Sequence, residues 1–244
     1  MSYGRYFTTG QKTFIKRVFA KEEQATLDTI TGYVTGTGVN HVDFSLPYGS
    51  DAAYDYPFEP GMRFELLCDN KGMGLRLQAI FQERLSSRDI RLQFEGNLEF
   101  ISRRQYRRVN VTAWVGIKRG NGNLAAMRAS WEENRQQLRA GVSAAKLTEF
   151  QKFPINLAGG GLRLPVKAPV KIAELLLVFL SIGDKEGIIC AMAEVIWAGN
   201  SQSDGTQPAG LRFLNILESD QARIDKVVNQ LIKRLEQAGI EHQE

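Results

Sequence analysis

Residues 103–117 read Arg103-Arg104-Gln105-Tyr106-Arg107-Arg108-Val109-Asn110-Val111-Thr112-Ala113-Trp114-Val115-Gly116-Ile117. The charge block from Phe100 to Arg108 interrupts the apolar alternation before it. Directly afterwards Val109, Val111, Ala113, Val115 and Ile117 recur every second residue, the spacing of a strand with one buried face. The stretch therefore closes one β-rich module, residues 1–100, and opens another, residues 101–244.

Working back toward the N-terminus, period two recurs in Val42, Phe44 and Leu46, in Met62, Phe64 and Leu66, in Leu75, Leu77, Ala79 and Phe81, and in Ile90, Leu92 and Phe94. Asp69-Asn70-Lys71-Gly72 supplies turn residues between two of these runs, and Pro60-Gly61 opens one. A short helix is expected in Lys21–Asp28. Working forward, Leu124, Met127, Trp131 and Leu138 fall at helical spacing, which predicts a helix inserted in the stretch from Gly120 to Phe150. Strand signals resume at Leu162–Leu164, Ala173–Ile182, Ile188–Trp197 and Gly210–Ile216. The last element reads as a helix with Ile224, Val227, Val228, Leu231, Ile232 and Leu235 on one face, Ser219 as N-cap and Gly239 as stop. The expected fold class is mainly β, two β-barrel-like domains, the second with an inserted helix and a C-terminal helix.

The chain has 244 residues, 43% hydrophobic and 24% charged, an ordinary globular balance. No apolar run approaches the roughly 18 residues that span a bilayer, so a soluble, cytoplasmic protein without a membrane span is expected. Cys68 and Cys190 share no metal-ligand spacing, and His41 and His242 are the only histidines. That inventory disfavours a serine–histidine triad and a multi-histidine metal site, and we expect no catalytic residues, no metal and no enzyme. A carboxylate-only mechanism stays open on composition.

The formal net charge is +4, yet between Glu99 and Glu132 there is no acidic residue and seven cations, Arg103, Arg104, Arg107, Arg108, Lys118, Arg119 and Arg128. The rest of the chain is then net negative, and the basic character marks one segment as a candidate anion site. Arginine's planar fork grips a phosphate or the O6/N7 edge of guanine through two hydrogen bonds. Downstream, Asn156-Leu157-Ala158-Gly159-Gly160-Gly161 stands before another strand signal. Its glycines let backbone approach a ligand closely, and Asn156 offers both a donor and an acceptor. Trp114 points away from the apolar set beginning at Val109, where packing beneath the inserted helix is expected, and Trp131 is expected in the core.

These two motifs resemble those of the PilZ family of cyclic-di-GMP receptors: an Arg-x-x-x-Arg segment, often preceded by another Arg, then a strand and Asp/Asn-x-Ser-x-x-Gly. Arg104 and Arg108 match the two arginines, Arg103 the preceding one, and Asn156 and Gly161 the ends of the second motif. The resemblance covers about residues 100–240 and implies a PilZ-type barrel; the module before it is similar in placement to the N-terminal domain of YcgR-like flagellar brake proteins. It implies a cyclic-di-GMP site formed by Arg103, Arg104, Arg108, Asn156, Ala158, Gly160 and Gly161, with no other cofactor. Ligand-driven ordering of the arginine segment would change the arrangement of the domains and signal to a protein partner, flagellar by the same resemblance, in motility control. Ala158 stands where the family usually has Ser, one hydroxyl contact fewer, worth ~1 kcal/mol or roughly fivefold in affinity. Two alternatives stay open: a PilZ-fold adaptor that no longer binds nucleotide, and a nucleic-acid-binding barrel using the same arginines, which steep salt dependence without nucleotide selectivity would reveal. No nucleic-acid partner is expected on the leading reading.

Overall fold

The computed structural model describes residues 3–19, 26–70, 72–102, 104–120, 123–184 and 186–238. The chain divides into two compact units, Met1–Gln105 with Gly122–Ala125, and Tyr106–Asn121 with Ala126–Glu244.

The first unit is a barrel of six antiparallel strands: β1 (Lys12–Arg17), β2 (Thr26–Thr37), β3 (His41–Ser45), β4 (Arg63–Asn70), β5 (Met73–Arg84) and β6 (Asp89–Ile101). Their order is β1-β4-β5-β6-β3-β2, and β2 pairs back onto β1, so no edge is left open. Alternation fills its interior with Ile15, Ile30, Phe44, Phe64, Leu66, Leu77, Ile90 and Leu92, all essentially inaccessible. The predicted turn joins β4 to β5: the Gly72 N–H donates to Asp69 Oδ1 at 3.0 Å. On the outer face, Arg91 forks onto Asp43, directly opposite in the β3–β6 register, at 2.7 and 2.9 Å. A short helix α1 (Ala52–Asp55) lies between β3 and β4. The expected helix over Lys21–Asp28 is corrected in part. Asp28 lies in β2, where its buried carboxylate accepts the Tyr56 hydroxyl at 2.8 Å, and residues 21–25 fall outside the described residues.

The second unit repeats the plan with β7 (Val109–Arg119), β8 (Phe150–Ala158), β9 (Gly161–Lys167), β10 (Leu175–Ser181), β11 (Ile189–Ala198) and β12 (Thr206–Leu217). The order β12-β11-β10-β7-β8-β9 closes through β12–β9 pairing. The predicted insertion is α2 (Leu124–Arg139), followed by the short α3 (Ala144–Leu147). Trp131 of α2 is buried as expected, its indole N–H donating to the Cys190 carbonyl at 2.9 Å. Both cysteines are free and buried, and burial pushes each thiol up to about 12, too high for thiolate chemistry.

The terminal helix α4 (Glu218–Gln237) packs on β7, β8 and β12 and buries Ile224, Val228 and Ile232, every fourth residue of one stripe. Its start differs from the expected one. Leu217 is the N-cap and Ser219 lies inside the first turn, because β12 runs into the helix without a loop. Arg223 secures this end, reaching Asp184 at 2.7 and 2.9 Å and Asp220 at 2.7 Å, and so holds the Asp184 carboxyl below its usual range. The expected stop at Gly239 lies outside the described residues. Among the described residues no helix is long and apolar enough to cross a membrane, and no cluster of three metal-ligating side chains occurs.

Candidate functional site

Asn156 and the three glycines stand at a hairpin rather than in a loop leading to one strand. Asn156, Leu157 and Ala158 end β8, Gly159-Gly160 make the turn, and Gly161 begins β9. The β-pattern over residues 150–158 is thin because Gln151, Lys152 and Pro154 interrupt it, so β8 is not legible before the structure. Leu157 turns inward, and Asn156 therefore faces outward, where its amide donates to Asn110 Oδ1 on β7 at 2.9 Å.

Following the register outward from that pair gives a row across five strands. Asn110 on β7 lies opposite Asn156, Asn156 opposite Arg163 on β9, Arg163 opposite Gly210 on β12, and Gly210 opposite Trp197 on β11. Arg163 is exposed and, among the described residues, has no carboxylate partner. Trp197 is 42% exposed, with its indole 3.7 Å from where a Cβ on Gly210 would stand, so the glycine leaves the flat ring uncovered. The row offers amides, an unpaired guanidinium and an aromatic face, the chemistry that a nucleotide's base edges, phosphates and rings require. Arg163 and Trp197 were not among the predicted site residues; only cross-strand register reveals them.

The glycines answer to different constraints. Gly161 has φ +154°, and a Cβ there would run into the Leu211 carbonyl of β12, so this rung of the barrel admits glycine alone. At Gly160 a Cβ would stand 2.7 Å from the Tyr106 ring. A Cβ on Gly159 would meet the Asp225 carboxylate, which accepts the Gly159 N–H; burial pushes the Asp225 carboxyl above its usual range. Ala158 is only 5% exposed, so its missing hydroxyl leaves a covered methyl rather than an open gap.

The arginine segment connects β6 to β7 in the chain. Arg104, Arg107 and Arg108 are exposed, and Arg103 lies outside the described residues. Arg108 directly precedes β7, two residues before Asn110 of the row, and Arg107 meets Glu236 of α4 at 2.8 Å. Between the flanking arginines, half-buried Tyr106 is held by Gln221, whose amide donates to its hydroxyl at 3.0 Å. The structure thus brings Arg108, Asn156, Ala158, Gly160 and Gly161 onto one barrel.

Trp114 departs from its expected place. It is 44% exposed, stacks on Phe150 with centroids 5.9 Å apart and carries Lys152 5.8 Å from its ring. Beside it is a cleft of about 260 Å³ lined by Val111, Lys152, Ser181 and Val227, which includes none of the predicted site residues.

Among solved structures, the chain is similar to the Bacillus subtilis inhibitor of motility MotI/DgrA, with 15% identity, 93% of this chain and 100% of that one covered, and a TM-score of 0.37. It is also similar to Escherichia coli YcgR in complex with c-di-GMP, at 12% identity over 93% and 87% with TM-score 0.37. A third, apo MrkH of K. pneumonia, gives 15% identity over 93% and 88% with TM-score 0.40. No curated protein matches the chain. The PilZ domain family matches residues 102–230, more than half of the sequence and the whole of the site just described, and the chain belongs to the PilZ-domain family.

Proposed function

We propose that this protein is a cyclic-di-GMP receptor that works by binding rather than by chemistry. The observation that carries the reading is the barrel's outer row, Asn110, Asn156, Arg163 and Trp197, in register beside the strand that Arg108 introduces. Arg103, Arg104 and Arg108 hold phosphates and guanine edges, Asn156 contacts a guanine, and Gly160 and Gly161 admit the ligand past Ala158. Trp197 supplies a stacking face and Arg163 a second cation.

On this reading residues 101–244, arginine segment included, form the PilZ domain and residues 1–100 a YcgR-like β domain. Capture of the nucleotide orders the segment, changes the interdomain arrangement and passes the signal to a protein partner in the cytoplasm, in motility control. The covered methyl of Ala158 favours a second reading, a PilZ-fold adaptor without nucleotide.

Isothermal titration with cyclic-di-GMP at physiological salt decides between them, with GTP and cyclic-di-AMP as controls. Selective binding that is lost in Arg104→Ala and Arg108→Ala establishes the receptor. No heat at high micromolar ligand leaves the adaptor.

A further inference from the structure

The ligand chemistry does not use Tyr106, Gln221 or Asp225, yet these three join the two motifs. The Tyr106 ring lies on the one residue of the turn, Gly160, whose missing side chain makes room for it: a Cβ would stand 2.7 and 2.9 Å from two ring carbons. The amide nitrogen of Gln221, in the first turn of α4, donates one N–H to the Tyr106 hydroxyl and the other to the Gly159 carbonyl, both at 3.0 Å. One turn further along α4, Asp225 accepts the Gly159 N–H. The backbone of Gly159 is thereby held through both its polar groups, and the same glutamine fixes the tyrosine midway between Arg104 and Arg108.

We propose that Gln221 is a positioning residue: through Tyr106 it latches the arginine segment onto the Gly159–Gly160 turn, so that Arg107 and Arg108, and Arg104 two residues earlier in the chain, start from a fixed point. The alternative of a tyrosine that only fills space does not account for a glutamine shared between its hydroxyl and the turn. Nor does Arg107–Glu236 account for the anchoring, because both side chains are more than half exposed and such pairs contribute little. The latch itself is a property of the fold; its effect on nucleotide affinity rests on the receptor reading above.

The segment reports its own release, because Arg103, Arg104, Arg107 and Arg108 are trypsin sites. The full chain and its Tyr106→Phe, Gln221→Ala and double variants are digested without nucleotide, with the unfolding midpoint and cyclic-di-GMP affinity measured in parallel. Tyr106→Phe keeps the ring on Gly160 and removes the hydroxyl that Gln221 holds, so it serves if Gln221→Ala folds poorly. Cleavage tracks the open population, and loss of one neutral hydrogen bond makes it roughly fivefold faster at residues 103–108. Both singles give at least that rise, the double is no faster than the faster single since the two variants share the Tyr106–Gln221 bond, and the unfolding midpoint of Tyr106→Phe is unchanged. Binding falls by a similar factor in both singles. Unchanged cleavage in Tyr106→Phe overturns the latch, as does faster cleavage at every arginine together with a lower midpoint, or tighter nucleotide binding by the released segment. Faster cleavage confined to 103–108 in a protein whose wild type binds no cyclic-di-GMP sustains the latch and overturns the receptor reading instead.

Discussion

In the first barrel Arg91 forks onto Asp43, Arg63 meets Glu95 at 3.2 Å, and Arg76 meets Glu99 on the neighbouring strand. In the second, Arg163 occupies the same kind of outer strand position without a carboxylate opposite it; its cross-strand neighbours are Asn156 and Gly210. Two barrels of six strands, both closed and both packed by alternation, thus differ at this position, although Arg119 of β7 in the second barrel is paired, with Glu174 at 3.5 Å. A paired guanidinium has its fork filled and its charge quenched. An unpaired one beside amides and an indole keeps both for an anionic ligand. Outer-face chemistry at these positions, rather than architecture, separates the two barrels.

Glycine substitution tests the comparison most severely. Gly161→Ala puts a Cβ against the Leu211 carbonyl, and we expect a loss of ~3 kcal/mol or more, or failure to fold. Gly61→Ala in the first barrel meets φ +87° but open space, and should cost only about 1 kcal/mol by thermal unfolding. Equal costs would break the claim that the second barrel's turn is constrained by a neighbouring strand. Next in size, Arg108→Ala should weaken cyclic-di-GMP binding by roughly 10- to 100-fold, the worth of charge-assisted hydrogen bonds. Arg91→Ala should leave affinity unchanged while lowering the unfolding midpoint, because its partners are internal. An affinity loss there would erase the distinction. Trp197→Ala removes one stacking face, about 1 kcal/mol at the low end for a base, hence roughly fivefold in affinity with little change in stability.

The smallest effect concerns pH. Burial holds the Asp225 carboxyl above its ordinary 3.8, so the folded protein keeps this proton more tightly than the unfolded chain does. Stability therefore falls as pH rises through the interval between 3.8 and the raised value, and is regained on acidification. Asp225→Asn keeps an acceptor for the Gly159 N–H and removes the buried charge. We expect a slightly higher unfolding midpoint at pH 7, a difference that vanishes as pH drops to 3.8. A lower midpoint at pH 7 would show that the carboxylate's hydrogen bond outweighs its burial.

Much of this molecule is legible from alternation. The strands containing Phe44, Leu66, Leu77 and Leu92 announce themselves, because each buries one face and exposes the other. β1 does not, since Lys12-Thr13-Phe14-Ile15-Lys16-Arg17 shows only one strongly apolar inward residue, and β8 is masked by its polar and proline residues. The motif residues of the site are readable as local patterns, Arg104 to Arg108 and Asn156 to Gly161. Arg163, Trp197, Gln221 and Tyr106 are not, because their roles come from register and from a helix more than a hundred residues away from the segment it holds. Trp114 misleads for a related reason. Alternation states correctly that it faces outward, but only the fold shows that Phe150, not the inserted helix, covers it.

The row from Asn110 to Trp197 can be rewritten residue by residue without repacking the barrel. Every member projects from the outside of a barrel whose interior is filled by other residues, so exchanging any of the four side chains alters the outer face without touching the core. Insertions and deletions are a different matter: one residue gained or lost within β8 or β9 would swing Ile155, Leu157 or Leu162 to the outside and Asn156 or Arg163 into the core. The surface is open to letter-by-letter editing and closed to changes of length.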